Sequence, residues 1–187
     1  MSRVGVLALQ GDVREHIKAL ETIGVETLQV KTPAELETVD ALILPGGEST
    51  TIGKMAVRFE LLEPVRSAID VGLPVYGTCA GMILLAAAVT DGDQPLLASL
   101  DVVVRRNAFG RQNESFEADL EVEGLDSPFH AVFIRAPWIE KVGSEVEVLA
   151  SIDGHPVMVR QGKILATSFH PELTGDDRVH RMLVGMI

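Results

Sequence analysis

The chain has 187 residues, 47% of them hydrophobic, enough for one well-filled core and too few for two large domains. A formal net charge of −11 argues against nucleic acid or an anionic membrane as partner. The one cysteine excludes an internal disulfide and suits a reducing, cytoplasmic compartment; no apolar run reaches membrane-spanning length, and Met1-Ser2-Arg3-Val4 leads into a strand pattern with no signal-peptide architecture. A single globular domain over residues 1–187 is expected.

Residues 4–9 read as a first buried strand, turned by Gln10-Gly11. Asp12 with Glu15 three residues on has the form of a capping box, and Val13, Ile17 and Leu20 recur at helical spacing before Gly24. Residues 25–30 alternate like a strand near a sheet edge, and residues 33–39 are a short polar helix or loop. Ala41-Leu42-Ile43-Leu44 is a third strand that stops at Pro45-Gly46-Gly47. Ser49-Thr50-Thr51 cap a helix through Ile52, Met55, Ala56 and Phe59, and a second helix over 61–71 is broken from it near Glu63-Pro64. A short apolar run, Leu73-Pro74-Val75-Tyr76, precedes Gly77-Thr78-Cys79-Ala80-Gly81, and residues 82–89 are good helix formers without a polar break. Residues 91–95 form a plain loop. From Leu100 the pattern turns to strands at 101–104, 116–122, 131–134, 146–152, 156–160 and 164–169, with hairpin turns at Asp153-Gly154 and Gln161-Gly162. Val179, Met182, Leu183 and Met186 share a final helical face. This order predicts an α/β fold: an open, mostly parallel sheet flanked by helices, with added antiparallel strands in the C-terminal half.

Gly77-Thr78-Cys79-Ala80-Gly81 is the thiol form of a strand-to-helix nucleophile elbow. The tight bend needs small flanking residues, and the start of the following helix favours negative charge on the sulfur. A lone cysteine is more often a small buried hydrophobe, but two glycines at these offsets between strand and helix favour the nucleophile. His170 is the best candidate base, because it follows a strand pattern and so sits where open α/β sheets bind ligands. Pro171 fixes the backbone between it and Glu172, whose carboxylate can hold one imidazole nitrogen while the other faces sulfur. His16, His155 and His180 read as solvated and His130 as structural. Pro45-Gly46-Gly47-Glu48-Ser49-Thr50 ends another strand; its paired glycines can aim a peptide N–H at an oxyanion, and Ala80 offers a second. It lacks the Gly-Lys-Ser/Thr ending of a phosphate loop. Arg105-Arg106-Asn107-Ala108-Phe109-Gly110-Arg111-Gln112 is the only basic cluster, by default a solvated loop, and otherwise a site for a substrate carboxylate. No metal-ligand spacing and no nicotinamide fingerprint is present.

The elbow and His170-Pro171-Glu172 resemble the triad-type, class I glutamine amidotransferases, whose fold is flavodoxin-like. Residues 7–12 (Leu-Ala-Leu-Gln-Gly-Asp), residues 45–50, the Arg106-Asn107-Ala108-Phe109-Gly110-Arg111-Gln112 run and Phe133-Ile134-Arg135-Ala136-Pro137 narrow the resemblance to glutaminase subunits of pyridoxal 5′-phosphate synthases. The resemblance implies that Cys79 attacks the side-chain amide of L-glutamine with His170 as base and then acid, Glu172 orienting it. It implies Gly47 and Ala80 as oxyanion donors, and Gly47, Glu48, Ser49, Arg106, Ile134 and Arg135 as glutamine-binding residues. It further implies ammonia transfer to a separate synthase subunit in a hetero-oligomer, with no pyridoxal phosphate or other cofactor bound to this chain. The nearest rival is a glutaminase of another amination, such as imidazole-glycerol-phosphate synthesis, which the elbow and triad alone do not separate. A cysteine peptidase of similar fold lacks the His-Pro-Glu continuation, and intact Cys79, His170 and Glu172 oppose a non-catalytic scaffold.

Overall fold

A computed structural model of the chain describes residues 2–109 and 115–187. Gly110, Arg111 and Gln112 of the basic cluster lie outside the described residues. In chain order the elements are β1 (Arg3–Leu7), α1 (Val13–Thr22), β2 (Glu26–Val30), α2 (Pro33–Leu36), β3 (Ala41–Leu44), α3 (Ser49–Arg58), α4 (Leu62–Asp70), β4 (Val75–Thr78), α5 (Ala80–Leu85) and β5 (Ala86–Val89). They continue with β6 (Leu100–Arg105), β7 (Ser115–Leu120), β8 (Phe129–Ile134), β9 (Trp138–Val142), β10 (Glu147–Ile152), β11 (His155–Gln161), β12 (Ile164–Thr167), a 3-10 turn (Pro171–Leu173) and α6 (Arg178–Val184).

Among the described residues, seven strands form the central sheet in the order β10-β11-β12-β4-β3-β1-β2. The pairs β1–β2, β1–β3, β3–β4 and β12–β4 are parallel, while β10–β11 and β11–β12 are antiparallel. This is the expected architecture. Every residue of β3, β4 and β12 is buried, as strands covered on both faces must be, whereas β2 at the edge is largely exposed or half-buried. Alternate side chains of β3 feed opposite layers: Leu42 and Leu44 join one core, Ala41 and Ile43 the other. A three-stranded sheet (β5-β6-β9) and the β7–β8 hairpin complete the C-terminal half.

The elements depart from expectation in three places. The apolar run at 82–89 is helical only to Leu85; Ala86–Val89 instead pairs in parallel with β6, so a tertiary ladder overrides the helix propensity of the alanines. Strand β9 lies outside the strand patterns of the sequence, because Glu140 and Lys141 interrupt its apolar run, yet it pairs along β6. The break between α3 and α4 falls at residues 59–61, and Pro64 sits inside the first turn of α4, where its missing N–H needs no partner.

Candidate active site

Three neighbouring strands deliver the site at their carboxyl ends. β4 leads into Cys79, β3 into Gly46-Gly47, and β12 into His170. The register Thr167↔Thr78 places the histidine segment beside the cysteine, and the Cys79 N–H donates to Thr167 O at 2.7 Å, which extends the ladder to the nucleophile itself. Residues remote in sequence therefore meet through one strand pairing.

Cys79 has φ 48° and ψ −100°, a strained left-handed backbone for a residue with a side chain. Close packing holds it there. A Cβ on Gly77 would lie 2.6 Å from the carbonyl carbon of Gly81, and one on Gly81 would lie 2.8 Å from that of Leu44. Neither position tolerates a side chain without parting α5 from the sheet. Cys79 is 7% exposed and opens on a cavity of about 120 Å³ lined by Gly47, Glu48, Ser49, Arg106, Ile134 and Arg135, together with Ile83 and Asn107. Cys79 and all six residues assigned to glutamine thus border one space. The sulfur lies 4.0 Å from Ile134 O.

His170 is buried, and its backbone N–H donates to Val132 O at 2.9 Å, anchoring it to β8. Its Nδ1 lies 2.7 Å from Glu172 Oε1, the spacing of a charge-assisted hydrogen bond, leaving Nε2 free for chemistry. Burial pulls the imidazole pKa down, but coupling to Cys79 and Glu172 outweighs it and raises it to about 10. Burial pushes the Glu172 carboxyl upward, and the hydrogen bond from His170 opposes this. Asp12 contributes a second carboxylate 3.5 Å from His170 Nδ1. The capping box expected between Asp12 and Glu15 does not form: the Asp12 side chain caps nothing and faces the histidine. Asp12, His170 and Glu172 bring three ligand-type atoms within 4.8 Å of one another, and their closest spacing is this shared-proton contact.

Ala80 is the first residue of α5, so its N–H has no intrahelical acceptor and is free for an oxyanion. The Gly46 carbonyl accepts from the Asp12 N–H at 3.0 Å, and in a trans peptide the Gly47 N–H then points the opposite way. Gln10 Oε1 accepts from the Glu48 N–H at 2.8 Å and ties this loop to the end of β1. Glu48, rather than Ser49-Thr50-Thr51, is the N-cap of α3. Its carboxylate accepts from Thr50 N, Thr51 N and Thr51 Oγ1, and with the Thr51 hydroxyl as the main cause its pKa is lowered to about 2. Arg106 Nη1 donates to Thr50 Oγ1 and Gln94 Oε1, both at 3.1 Å, and Ser49 Oγ donates to the same Gln94 oxygen at 3.1 Å. Gln94 thus locks two cavity residues together, although its stretch reads as plain loop.

The other histidines divide differently from expectation. His16 and His180 are fully buried rather than solvated. His155 stacks flat on Trp138 at 3.6 Å between centroids. His130, read as structural, is half-exposed and pairs with Asp119 and Glu117 across the β7–β8 hairpin.

Fold and comparison together define a glutamine amidotransferase. A solved structure described as a glutamine amidotransferase superposes with a TM-score of 0.94 at 55% identity, covering 98% of this chain and 97% of that one. A more distant structure, PurLQS from Thermotoga maritima, shares the fold at 18% identity and a TM-score of 0.73 over 98% of each chain. The chain belongs to the SNO glutamine amidotransferase family, whose pattern matches residues 6–187. Among curated relatives, proteins named pyridoxal 5′-phosphate synthase subunit PdxT are 62% identical in Frankia alni (99% of this chain, 94% of that protein), 64% in Parafrankia sp. (99% and 93%) and 59% in Streptomyces coelicolor (98% and 93%).

Proposed function

We propose that this chain is the glutaminase subunit of a pyridoxal 5′-phosphate synthase, acting as a single domain in the cytoplasm and passing ammonia to a separate synthase subunit. The observation that carries the reaction is the His170–Glu172 pair, 2.7 Å between Nδ1 and Oε1, held beside a strained cysteine at the end of the adjacent strand. The acceptor pathway rests on relatives up to 64% identical over nearly the whole chain that carry that name.

The steps follow from the residues. Glutamine enters the cavity with its side-chain amide at Cys79. His170, whose raised pKa favours the protonated ring, takes the thiol proton onto Nε2 before sulfur adds to the amide carbon, and the oxyanion is met by the Ala80 N–H and a Gly47 N–H turned toward it. Glu172 stabilises the imidazolium without taking its proton. His170 returns the proton to the leaving nitrogen, ammonia departs, and a glutamyl thioester remains. Water, deprotonated by His170, adds to the thioester; collapse releases glutamate and restores the thiol. Arg106, which lines the cavity, receives the substrate carboxylate in this scheme, while the cap bonds of Glu48 hold the loop rigid.

The Gly46-Gly47 peptide is the natural switch, because its carbonyl is engaged by Asp12 N–H in the isolated chain and two adjacent glycines oppose no rotation. Ammonia release from glutamine is expected to be slow for the chain alone and to rise steeply on adding the synthase subunit. Pyridoxal 5′-phosphate should then form from ribose 5-phosphate and glyceraldehyde 3-phosphate. Equal turnover with and without that subunit would contradict the proposal.

A further inference from the structure

Two histidines that the reaction scheme does not use are fully buried beside the catalytic pair, His16 on α1 and His180 on α6. His16 Nδ1 lies 3.0 Å from His180 Nε2, and His16 Nε2 lies 3.1 Å from Thr78 Oγ1. The same Nε2 is 3.6 Å from Glu172 Oε1, the oxygen that already accepts from His170. That spacing is too long for a hydrogen bond, but between buried groups it is close enough for strong electrostatic coupling. Among the described residues, Glu172 Oε2 and His180 Nδ1 have no hydrogen-bond partner.

Neutral rings can arrange their protons in two ways. If His16 Nδ1–H donates to His180 Nε2, then His180 carries its own proton on Nδ1, an unpaired buried donor, and His16 turns a lone pair toward the carboxylate. If His180 Nε2–H donates instead, His16 carries Nε2–H, which faces Thr78 Oγ1 and Glu172 Oε1. The one ring atom left unpaired is then a lone pair on His180. An orphaned buried N–H is rarer and more costly than an unused acceptor, and a donor facing a carboxylate is favourable. A charged His16 is opposed first by burial and then by His180 and His170, which hold its pKa well below the ordinary range.

We propose that His16, fixed as the Nε2–H tautomer by His180, is a positioning residue for glutamine hydrolysis: its N–H, bonded to Thr78 Oγ1 and turned toward Glu172 Oε1 at 3.6 Å, acts electrostatically to keep that carboxylate ionised and oriented toward His170. The inference rests on the reading of Cys79, His170 and Glu172 as the triad. The groups that face His16 are His180 from α6, Glu172 and His170 at the 3-10 turn, and Thr78 and Tyr76 from β4; Asp12 stands beside His170, and the charge of Asp177 bears on His180.

The test has two arms. Long-range proton–nitrogen NMR of the intact, ¹⁵N-labelled chain should show His16 and His180 both protonated at Nε2 with bare Nδ1, and Glu172→Gln should move the His16 Nε2 signal. In the assembled complex with its synthase subunit, His16→Leu should lower kcat roughly tenfold, leave KM for glutamine unchanged and move the acid limb of kcat up by about one pH unit. His16→Gln, which restores an N–H near the Nε2 position, should recover most of the loss. A His16 protonated at Nδ1 overturns the proposal, as does a His16→Leu enzyme with an unaltered acid limb, or a glutamine variant no better than the leucine one. If His16→Leu does not fold, the tautomers of the unaltered chain decide. Full activity of Glu172→Gln would instead overturn the triad beneath the proposal, whatever the tautomers.

Discussion

Gly46→Ala is the substitution that reads the site geometry most sharply. A methyl on Gly46 would lie 2.5 Å from His170 Cε1, 3.0 Å from His170 Nδ1 and 2.8 Å from Asp12 Oδ2. Ordinary carbon contacts sit at roughly 3.5 Å, so the ring or the loop must give way by about 1 Å. The ring has little room to move without loss, because Glu172 holds Nδ1 at 2.7 Å and Val132 O holds the backbone N–H at 2.9 Å. A displacement of about 1 Å in a reacting group lowers rate by roughly a hundredfold, or about 2.7 kcal/mol of activation free energy. The overpacking itself should lower stability by about 1–3 kcal/mol. Ammonia release by the complex, coupled to a dehydrogenase that consumes ammonia, should therefore show kcat down about a hundredfold. The thermal midpoint should drop, and the synthase subunit should still bind. A Gly46→Ala complex with wild-type kcat would refute the placement of His170 against this loop.

Burial lowers the pKa of His180 to about 4, against the opposing charge of Asp177. The folded chain therefore holds this ring neutral where the unfolded chain protonates it. The resulting stability is complete above the ordinary pKa of 6.5 and falls as pH drops toward 4, by about 3 kcal/mol in total. Urea unfolding of His180→Gln should show a shallower loss between those pH values than the parent; identical slopes would contradict the burial argument. Glu48→Ala removes the side-chain cap of α3 and should lower stability by about 1 kcal/mol near neutral pH. Because the carboxyl pKa is lowered from 4.5 to about 2, the parent's advantage should persist above 4.5 and vanish as pH falls through 2. An advantage that survives below pH 2 would remove the carboxylate from the cap. Cys79→Ala should abolish ammonia release while synthase binding, measured by co-elution, persists; residual full turnover would exclude the thiol.

Much of this arrangement was legible because its parts are local. The elbow declares itself by two glycines at fixed offsets, and Gly77 and Gly81 prove to be where side chains would strike Gly81 and Leu44. His170 and Glu172 are adjacent through Pro171, and the β12–β4 pairing that brings them to Cys79 follows from two buried apolar runs. The misses have a common cause in long-range contact. Asp12 scores as a helix cap by spacing alone, and only the fold turns it toward His170. His16 lies among polar residues on α1, so periodicity assigns it to solvent; three elements close over it instead. Gln94 sits in a run of acidic and turn residues, and its role appears only where Ser49 and Arg106 converge on its oxygen. Residues 86–89 favour helix intrinsically and become strand because β6 offers them a ladder.

The chain's one cysteine makes the central claim directly measurable. A glutamine analogue carrying an electrophile in place of the side-chain amide, incubated with the assembled complex, should add a single equivalent to the chain by intact-mass analysis, mapped by peptide sequencing to Cys79, and excess L-glutamine should suppress it. No adduct, an adduct on another residue, or labelling that glutamine does not slow would contradict a cysteine nucleophile that hydrolyses glutamine.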